Sequence, residues 1–511
     1  MKRHRLVCGV ATGALLASIS LTVAPSTAAT APASWPYPNG DLANTRDATT
    51  STIDLANVTH LHKAWSFDLS GKATASVGGY GTLAANPVVQ DGVVYMQDLH
   101  SNVYALSLSS GHLLWEHAFN KPELSGPGPN GVAVANGEVY GETPHAAFAL
   151  NAKTGHVTWS NAALLQAGQG TFGIQPQASG GRVYLASQYG SAPGGGILIA
   201  LNATNGHELW SFKTMTGPDP GVQALGLGAG GAWETPLVSP NGAVTFGIGN
   251  PYQTVGEAYA QPARLLYSDS DVMLNASTGK LKWYYQGVEN DFKDFDMQAS
   301  PIATTVAGTP VVIGGGKMGD VYEMNASTGA LLWKTAVGIH NGFDNQSLKA
   351  LKHTGTLKLP FTFLPGSFGG ILTNMAYADG TIYAATINLP LQYTKDSQVT
   401  GQPLTGKFSY GGDLVAVNAA TGAIEWSTKL NGIPDGAATV SNNLVFTALV
   451  SGRLNACNRS TGAIVLNMKL PRTMNSTLAI AGNTVIVPVG GPVPKSSKEK
   501  SQIVAYTVPA K

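Results

Sequence analysis

Charge is scarce in this sequence. Asp, Glu, Lys and Arg make up only 12% of its 511 residues, and 30 basic against 29 acidic side chains leave a formal net charge of +1. A nucleic-acid-binding chain carries a basic stripe, so that class is excluded. Cysteine is nearly absent. Cys8 lies in the N-terminal apolar stretch, which leaves Cys457 alone in the remainder. The mature chain then has no intramolecular disulfide and no Cys-x-x-Cys-His haem-attachment motif, so packing and ladder hydrogen bonds must hold the fold. After about Val23 no apolar run reaches membrane-spanning length. What the chain does have is glycine, 62 residues of it, with abundant Asn, Ser and Thr. That mixture suits many short strands joined by tight turns and does not suit long helices.

The N-terminus reads as a secretory signal peptide over residues 1–31. Lys2, Arg3, His4 and Arg5 form a basic start, an apolar stretch runs from Leu6 to about Val23, and small residues cluster at Ser26–Ala31 with Ala-x-Ala-like cleavage options. The protein is then exported, to a periplasmic or extracellular location, with no membrane span after cleavage. The alternative is an uncleaved anchor. The early position of Cys8 argues against lipid attachment there.

Internal repetition is the strongest signal. An apolar run, a turn of the type Leu-Asn-Ala-x-Thr-Gly and a Trp four residues after the Gly recur, with copies ending at Trp115, Trp159, Trp210, Trp283, Trp333 and Trp426. A seventh copy has Leu466 in place of Trp, and an N-terminal fragment, LHKAWSF, keeps only Trp65, which makes eight units. Successive positions are spaced by 50, 44, 51, 73, 50, 93 and 40 residues. Four-stranded propeller blades repeat about every 40–50 residues, so the two long gaps hold insertions. The run before the turn alternates as a half-buried strand. In the turn, Asn caps its own backbone and Gly takes the positive φ. The strand after it presents Trp to the neighbouring unit. A second strand–turn–strand pattern, as in PVVQDGVVYMQD, brings each unit to about four strands.

An open array or β-solenoid is the alternative arrangement, but closing a ring of eight units removes exposed sheet edges. The reading is an all-β, eight-bladed β-propeller of four-stranded blades with tryptophan-docking repeats. Residues 32–60 form an N-terminal strap, 61–490 the propeller, and 491–511 a C-terminal tail or closing strand. The partial first unit points to a blade completed from both ends of the chain. The Lys-rich stretch at 495–500 reads as a solvated loop, with a partner-binding patch as the alternative.

Trp35…Gly40-Asp41…Asn44-Thr45-Arg46, then TFGIGNP, then the repeat ending at Trp283, then Asp291-x-x-Asp294-x-Asp296 occur in that order. Together with the repeat they resemble the quinoprotein alcohol dehydrogenases, over roughly residues 35–490. The repeat is shared with non-enzymatic propellers; the ordered block is far more specific. The resemblance implies pyrroloquinoline quinone (PQQ) on the propeller axis, stacked on a Trp, with Ca²⁺ or a lanthanide ion polarising the quinone and an Asp removing the alcohol proton. It places Trp233 as the platform, Asn250 as a metal ligand and Lys317 as the basic residue that touches the quinone.

Other positions depart from the family pattern. Gln188 stands for a metal-binding Glu, Asn130 for a cofactor-binding Arg, and Ala84 for a cofactor-binding Glu. The family's adjacent-cysteine pair is missing. The place of the proton-abstracting Asp, counted back from Tyr267, is Arg264. Asp269, Asp271, Asp291, Asp294 and Asp296 lie nearby in sequence; of these Asp294 and Asp296 are taken as the candidates for the base, with Arg264 as a further catalytic candidate, although carboxylates such as Asp291, Asp294 and Asp296 also serve to tie loops together. Losing carboxylates from a Ca²⁺ site weakens it.

Three functions follow as alternatives. The first is a PQQ-type oxidoreductase acting on a small-molecule or polymeric alcohol, which passes electrons to a separate acceptor because no haem motif is present. The second is a non-catalytic envelope propeller that binds protein or glycan. The third is a different chemistry on the same axis, with Arg264 and Lys317 holding an anionic group.

Overall fold

A computed structural model describes residues 33–69, 81–121, 128, 130–188, 195–215, 230–260, 265–343, 358–404, 411–492 and 500–509. The N-terminal segment read as a signal peptide, Arg264 and residues 495–499 of the Lys-rich stretch lie outside these residues.

Eight antiparallel sheets follow one another along the chain as the blades of a propeller, each built on four strands, with a short fifth strand, Thr171–Phe172, added to blade three. Blade one comprises Val88–Gln90, Val93–Gln97, Val103–Ser107 and Leu113–His117, from inside to outside. Blade four runs from Leu237–Ser239 to Leu281–Gln286 and blade five from Ile302–Val306 to Leu331–Ala336. Blade eight takes Ala479–Ala481, Thr484–Val489 and Gln502–Thr507 from the C-terminal end and its outermost strand, His62–Asp68, from the N-terminal end. The ring is thus fastened by ladder hydrogen bonds between strands about 440 residues apart in sequence. Among the described residues no helix is long and apolar enough to cross a membrane.

The repeat's Trp has a defined place between blades. The indole N–H of Trp65, Trp115, Trp159, Trp210, Trp283, Trp333 and Trp426 donates to a backbone carbonyl in the repeat turn of the following blade, at 2.8–3.0 Å. The turn glycine is needed twice. At Gly206, φ is +70°, and a Cβ would come within 2.4 Å of the Trp159 ring. A side chain there would both strain the backbone and expel the indole. Blade seven, where Leu466 replaces Trp, lacks this bond by chemistry.

The strap ties blades to one another. Within eighteen residues its backbone bonds to six blades: Trp35 to Val89, Leu42 to Val238, Ala43 to Ala303, Thr45 to Tyr377, Arg46 and Ala48 to Val440, and Thr52 to Gly482. Arg46 is its fully buried hub. Nε donates to Ala438 O, Nη1 to Asn39 and Asn86, and Nη2 to Thr439 and Leu478 O. Every acceptor is neutral, and burial lowers the guanidinium pKa to about 9.

Both long repeat gaps contain added structure. The first holds the short helix Val255–Ala260. The second holds an accessory three-stranded sheet of Phe361–Phe363, Leu391–Tyr393 and Gln402–Pro403. Tyr393 Oη donates to Phe292 O at 2.8 Å, and Gly256 N to Asp396 O at 2.9 Å, so the accessory sheet is fixed to the loop between blades four and five and to the added helix.

Candidate active site

The segments that lead into the innermost strands line a cavity of about 370 Å³. Ala84 and Asn86 enter from ahead of blade one, Trp233 and Glu234 from ahead of blade four, Asp435 from ahead of blade seven, and Asn475, Ser476 and Thr477 from ahead of blade eight. Asn86, which also accepts from strap Arg46, ties the cavity wall to the strap. Phe368, 44% exposed, and Leu372 enter from ahead of blade six, and Thr400 from the accessory segment.

The loop between blades four and five carries the Asp-x-x-Asp-x-Asp element. Asp291 folds it: its two carboxylate oxygens accept the backbone N–H groups of Lys293 and Phe295 at 2.9 and 2.8 Å. That is a loop-tying role, and it turns the next two acids toward the axis. Asp296 accepts the backbone N–H of Asn250 at 2.8 Å and forms an ion pair with Lys317. Asp294, at φ +58°, lines the cavity. Its Oδ1 receives the Asn250 side-chain amide and lies 3.8 Å from Lys317 Nζ, while its Oδ2 accepts from Thr400 Oγ1 at 3.0 Å. A positive φ at a non-glycine residue is uncommon and is concentrated at functional sites. Burial pushes the Asp294 carboxyl up to about 7; Lys317 opposes that shift and Asp296 adds to it. Gly249 permits the assembly, because a Cβ there would lie 2.5 Å from Asp296 Oδ1 and 2.7 Å from Trp233 Nε1.

Five of the candidates from the sequence therefore come together: Trp233, Asn250, Asp294, Asp296 and Lys317. Two others stand behind the cavity wall. Asn130 donates to Asp98 O at 2.7 Å, and Gln188 donates to Gly128 O and Gly173 O at 2.9 and 2.8 Å. Gln188 Oε1 is buried and has no hydrogen-bond partner. Three cavity residues carried no sequence signal as site residues. Glu234 sits next to Trp233, Asp435 ahead of blade seven, and Thr400 in the accessory segment, where no repeat pattern reaches.

The residues fit a quinone with a metal ion. The volume lies in the range of small-molecule sites, and Trp233 offers an aromatic wall. The oxygen donors, the carboxylates of Asp294 and Asp296 with the side-chain amide of Asn250 beside them, suit a hard cation. Among the described residues no three His, Cys, Asp or Glu side chains cluster as a ready-made metal cage, so the amide oxygens would have to contribute.

Comparison with known proteins identifies the family of the chain. The model for the glucose/ethanol/alcohol dehydrogenase β-propeller domain (PQQ) matches residues 35–135 and 180–337, just over half of the chain. The model for the outer membrane protein assembly factor BamB matches residues 121–227 and 410–507. Lupanine 17-hydroxylase [cytochrome c] from a Pseudomonas species is 27% identical over 80% of this chain and 66% of its own length. Quinoprotein alcohol dehydrogenase PedH of Pseudomonas putida is 26% identical over 81% of this chain and 78% of its own. The matched region therefore spans just under two thirds of the lupanine enzyme. Among solved structures, the quinohaemoprotein alcohol dehydrogenase of Comamonas testosteroni superposes with a TM-score of 0.79 at 21% identity, covering 94% of this chain and 81% of that one. A europium-containing methanol dehydrogenase gives 0.78 at 20%, covering 93% and 98%. At these identities the structures speak for the fold. The sequence match, which takes in Trp233, Asn250, Asp294, Asp296 and Lys317, shows that the chain belongs to the PQQ family of glucose/ethanol/alcohol dehydrogenase β-propellers.

Proposed function

We propose that this protein is an exported quinoprotein oxidoreductase. It oxidises an alcohol, sugar or polyol with PQQ and a Ca²⁺ or lanthanide ion in the axial cavity, and passes the electrons to a separate acceptor. The observation that carries this reading is the placement of Asp294 in the cavity, held by Asn250, Lys317 and Thr400 beside Trp233.

Converting an alcohol to a carbonyl compound releases two electrons and two protons. Bound PQQ with its metal would take up the electrons from the alcohol carbon. Asp294 is the base. Its carboxyl meets the cavity directly, and two side chains outside its own loop fix its orientation, as a group that must meet a hydroxyl proton requires. Lys317 and Asp296 form a buried ion pair behind it, which holds the ammonium group beside the base without adding net charge to this wall. Trp233 supplies the flat apolar surface against which a planar ring system packs. Phe368 and Leu372 give the alcohol's carbon chain an apolar surface.

The second reading, a non-catalytic envelope propeller, is favoured by the BamB match alone. The segments of that match contain none of the five clustered residues, whereas the dehydrogenase match contains all of them.

The test is reconstitution of the apo-protein with PQQ and either Ca²⁺ or Eu³⁺, followed by calorimetry and a dye-linked alcohol assay. Binding and turnover are expected, with Asp294→Asn retaining binding and losing turnover by about 10²–10⁴-fold, the contribution of a positioned base. Absence of PQQ binding with either metal overturns the reading.

A further inference from the structure

The cavity holds an excess of carboxyl groups that the chemistry above leaves unused. Asp294 is engaged, but Glu234 and Asp435 also line the wall. Both lie deep in the molecule yet keep part of their surface accessible, as side chains facing a cavity do. Among the described lining residues Lys317 is the only cation, and it is paired with Asp294 and Asp296. Strap Arg46 bears on Glu234 electrostatically, but the five hydrogen bonds resolved for its guanidinium go to neutral oxygens. Asn374 hydrogen-bonds Glu234, and Asp435 repels it. Tyr252, Asp294 and Lys317 are the other titratable groups on the same wall. Asn130 and Ala84, near this end of the axis, are both neutral.

PQQ carries three carboxylates at neutral pH. Placing them in a cavity with two further ionised carboxylates would set like charges together in a medium of low dielectric. The same two groups in their acid form become hydrogen-bond donors to a cofactor carboxylate, a charge-assisted arrangement. We propose that the tricarboxylate quinone enters this cavity together with protons taken from solvent by Glu234 and Asp435, so that these two side chains, in place of arginines, are its anion-recognition groups. Each takes one proton on oxygen and donates it in a hydrogen bond; no other bond is made or broken. This rests on the cavity being the quinone site. Burial already pushes Glu234 up to about 8 and Asp435 up to about 7, so the protonated forms are within easy reach at neutral pH.

The experiment is calorimetric titration of PQQ into the metal-loaded full chain between pH 6 and 9, in pairs of buffers with different ionisation enthalpies. Titration of the metal alone, under the same conditions, provides the proton balance of that step. Net uptake of one to two protons per PQQ is expected above pH 8. Affinity should fall about tenfold or more per pH unit there and change little near pH 6, the behaviour of binding linked to protonation. Glu234→Gln and Asp435→Asn should each remove one proton from the uptake and flatten the pH dependence. Binding that is independent of buffer and flat across the range, in the wild-type protein alone, overturns this inference and leaves the oxidoreductase reading intact. Absence of binding at every pH overturns both.

Discussion

Thr400 Oγ1 donates a 3.0 Å hydrogen bond to Asp294 Oδ2, although 106 residues separate them. The accessory sheet makes this meeting possible, since Tyr393 anchors it to the backbone of Phe292, two residues before Asp294. The Asp294 carboxyl is thus clamped between a residue of its neighbouring Gly-Asn-Pro turn, Asn250, and one from an insertion in the ring.

If this clamp orients the base, Thr400→Val should lower kcat about tenfold in the reconstituted enzyme, the equivalent of one charge-assisted hydrogen bond of about 1.4 kcal/mol. KM should change little, because the interaction matters most as the proton moves. Thr400→Ser keeps the hydroxyl and should restore kcat to within a few fold. Steady-state dye-linked kinetics of the three proteins checks this. Equal losses in the Ser and Val variants would point to packing instead.

Asp271 offers a pH test away from the cavity. It is fully buried, packs against Gly314 of blade five, and neither carboxyl oxygen has a hydrogen-bond partner. Burial pushes it up to about 8. Its folded pKa is above the unfolded value of about 4, so the folded chain keeps a proton that the unfolded chain releases. Stability from this group is therefore full below pH 4 and declines as pH rises to about 8. Asp271→Asn does not titrate. Its stability relative to wild type should improve by roughly 4 kcal/mol between pH 5 and pH 9, at about 1.4 kcal/mol for each pH unit up to the folded pKa, measured as the difference in thermal unfolding across that range.

The blade junctions allow a third prediction. Gly206→Ala forces a side chain into a left-handed backbone and onto the Trp159 ring, and should cost about 2–4 kcal/mol. Trp159→Leu removes the indole and its bond to Ala203 O and should cost a similar amount. Because the two changes damage the same junction, the double variant should lose much less than the sum. Urea unfolding of the four proteins measures this coupling, and full additivity would show that the two residues act independently.

The ring was legible in the sequence because every blade must solve the same problem. A turn that receives a Trp has few substitutes, so the pattern appears seven times, four of them as Asn-Ala-x-Thr-Gly and three as close variants. The Trp65 fragment pointed to a blade shared by both ends of the chain for the same reason. Residues on the axis obey no such repetition. Trp233, Asn250, Asp294, Asp296 and Lys317 were recognisable only through their resemblance to a family, and the structure brings them together. Glu234 and Asp435 arrive from the approaches to blades four and seven and Thr400 from the accessory segment, and nothing in their local sequence distinguishes them from loop residues. Asn130 and Gln188 show the reverse case. They occupy positions where a charged group was expected, and both donate side-chain hydrogen bonds to backbone carbonyls, as neutral amides readily do.

The strand His62–Asp68 waits for Gln502–Thr507. On the ribosome that means nearly the whole chain is synthesised before its first blade strand finds a partner. Contacts of such sequence separation form slowly, and until they form there is no ring and no enclosed cavity. A cofactor that binds on the axis must therefore arrive at a finished ring.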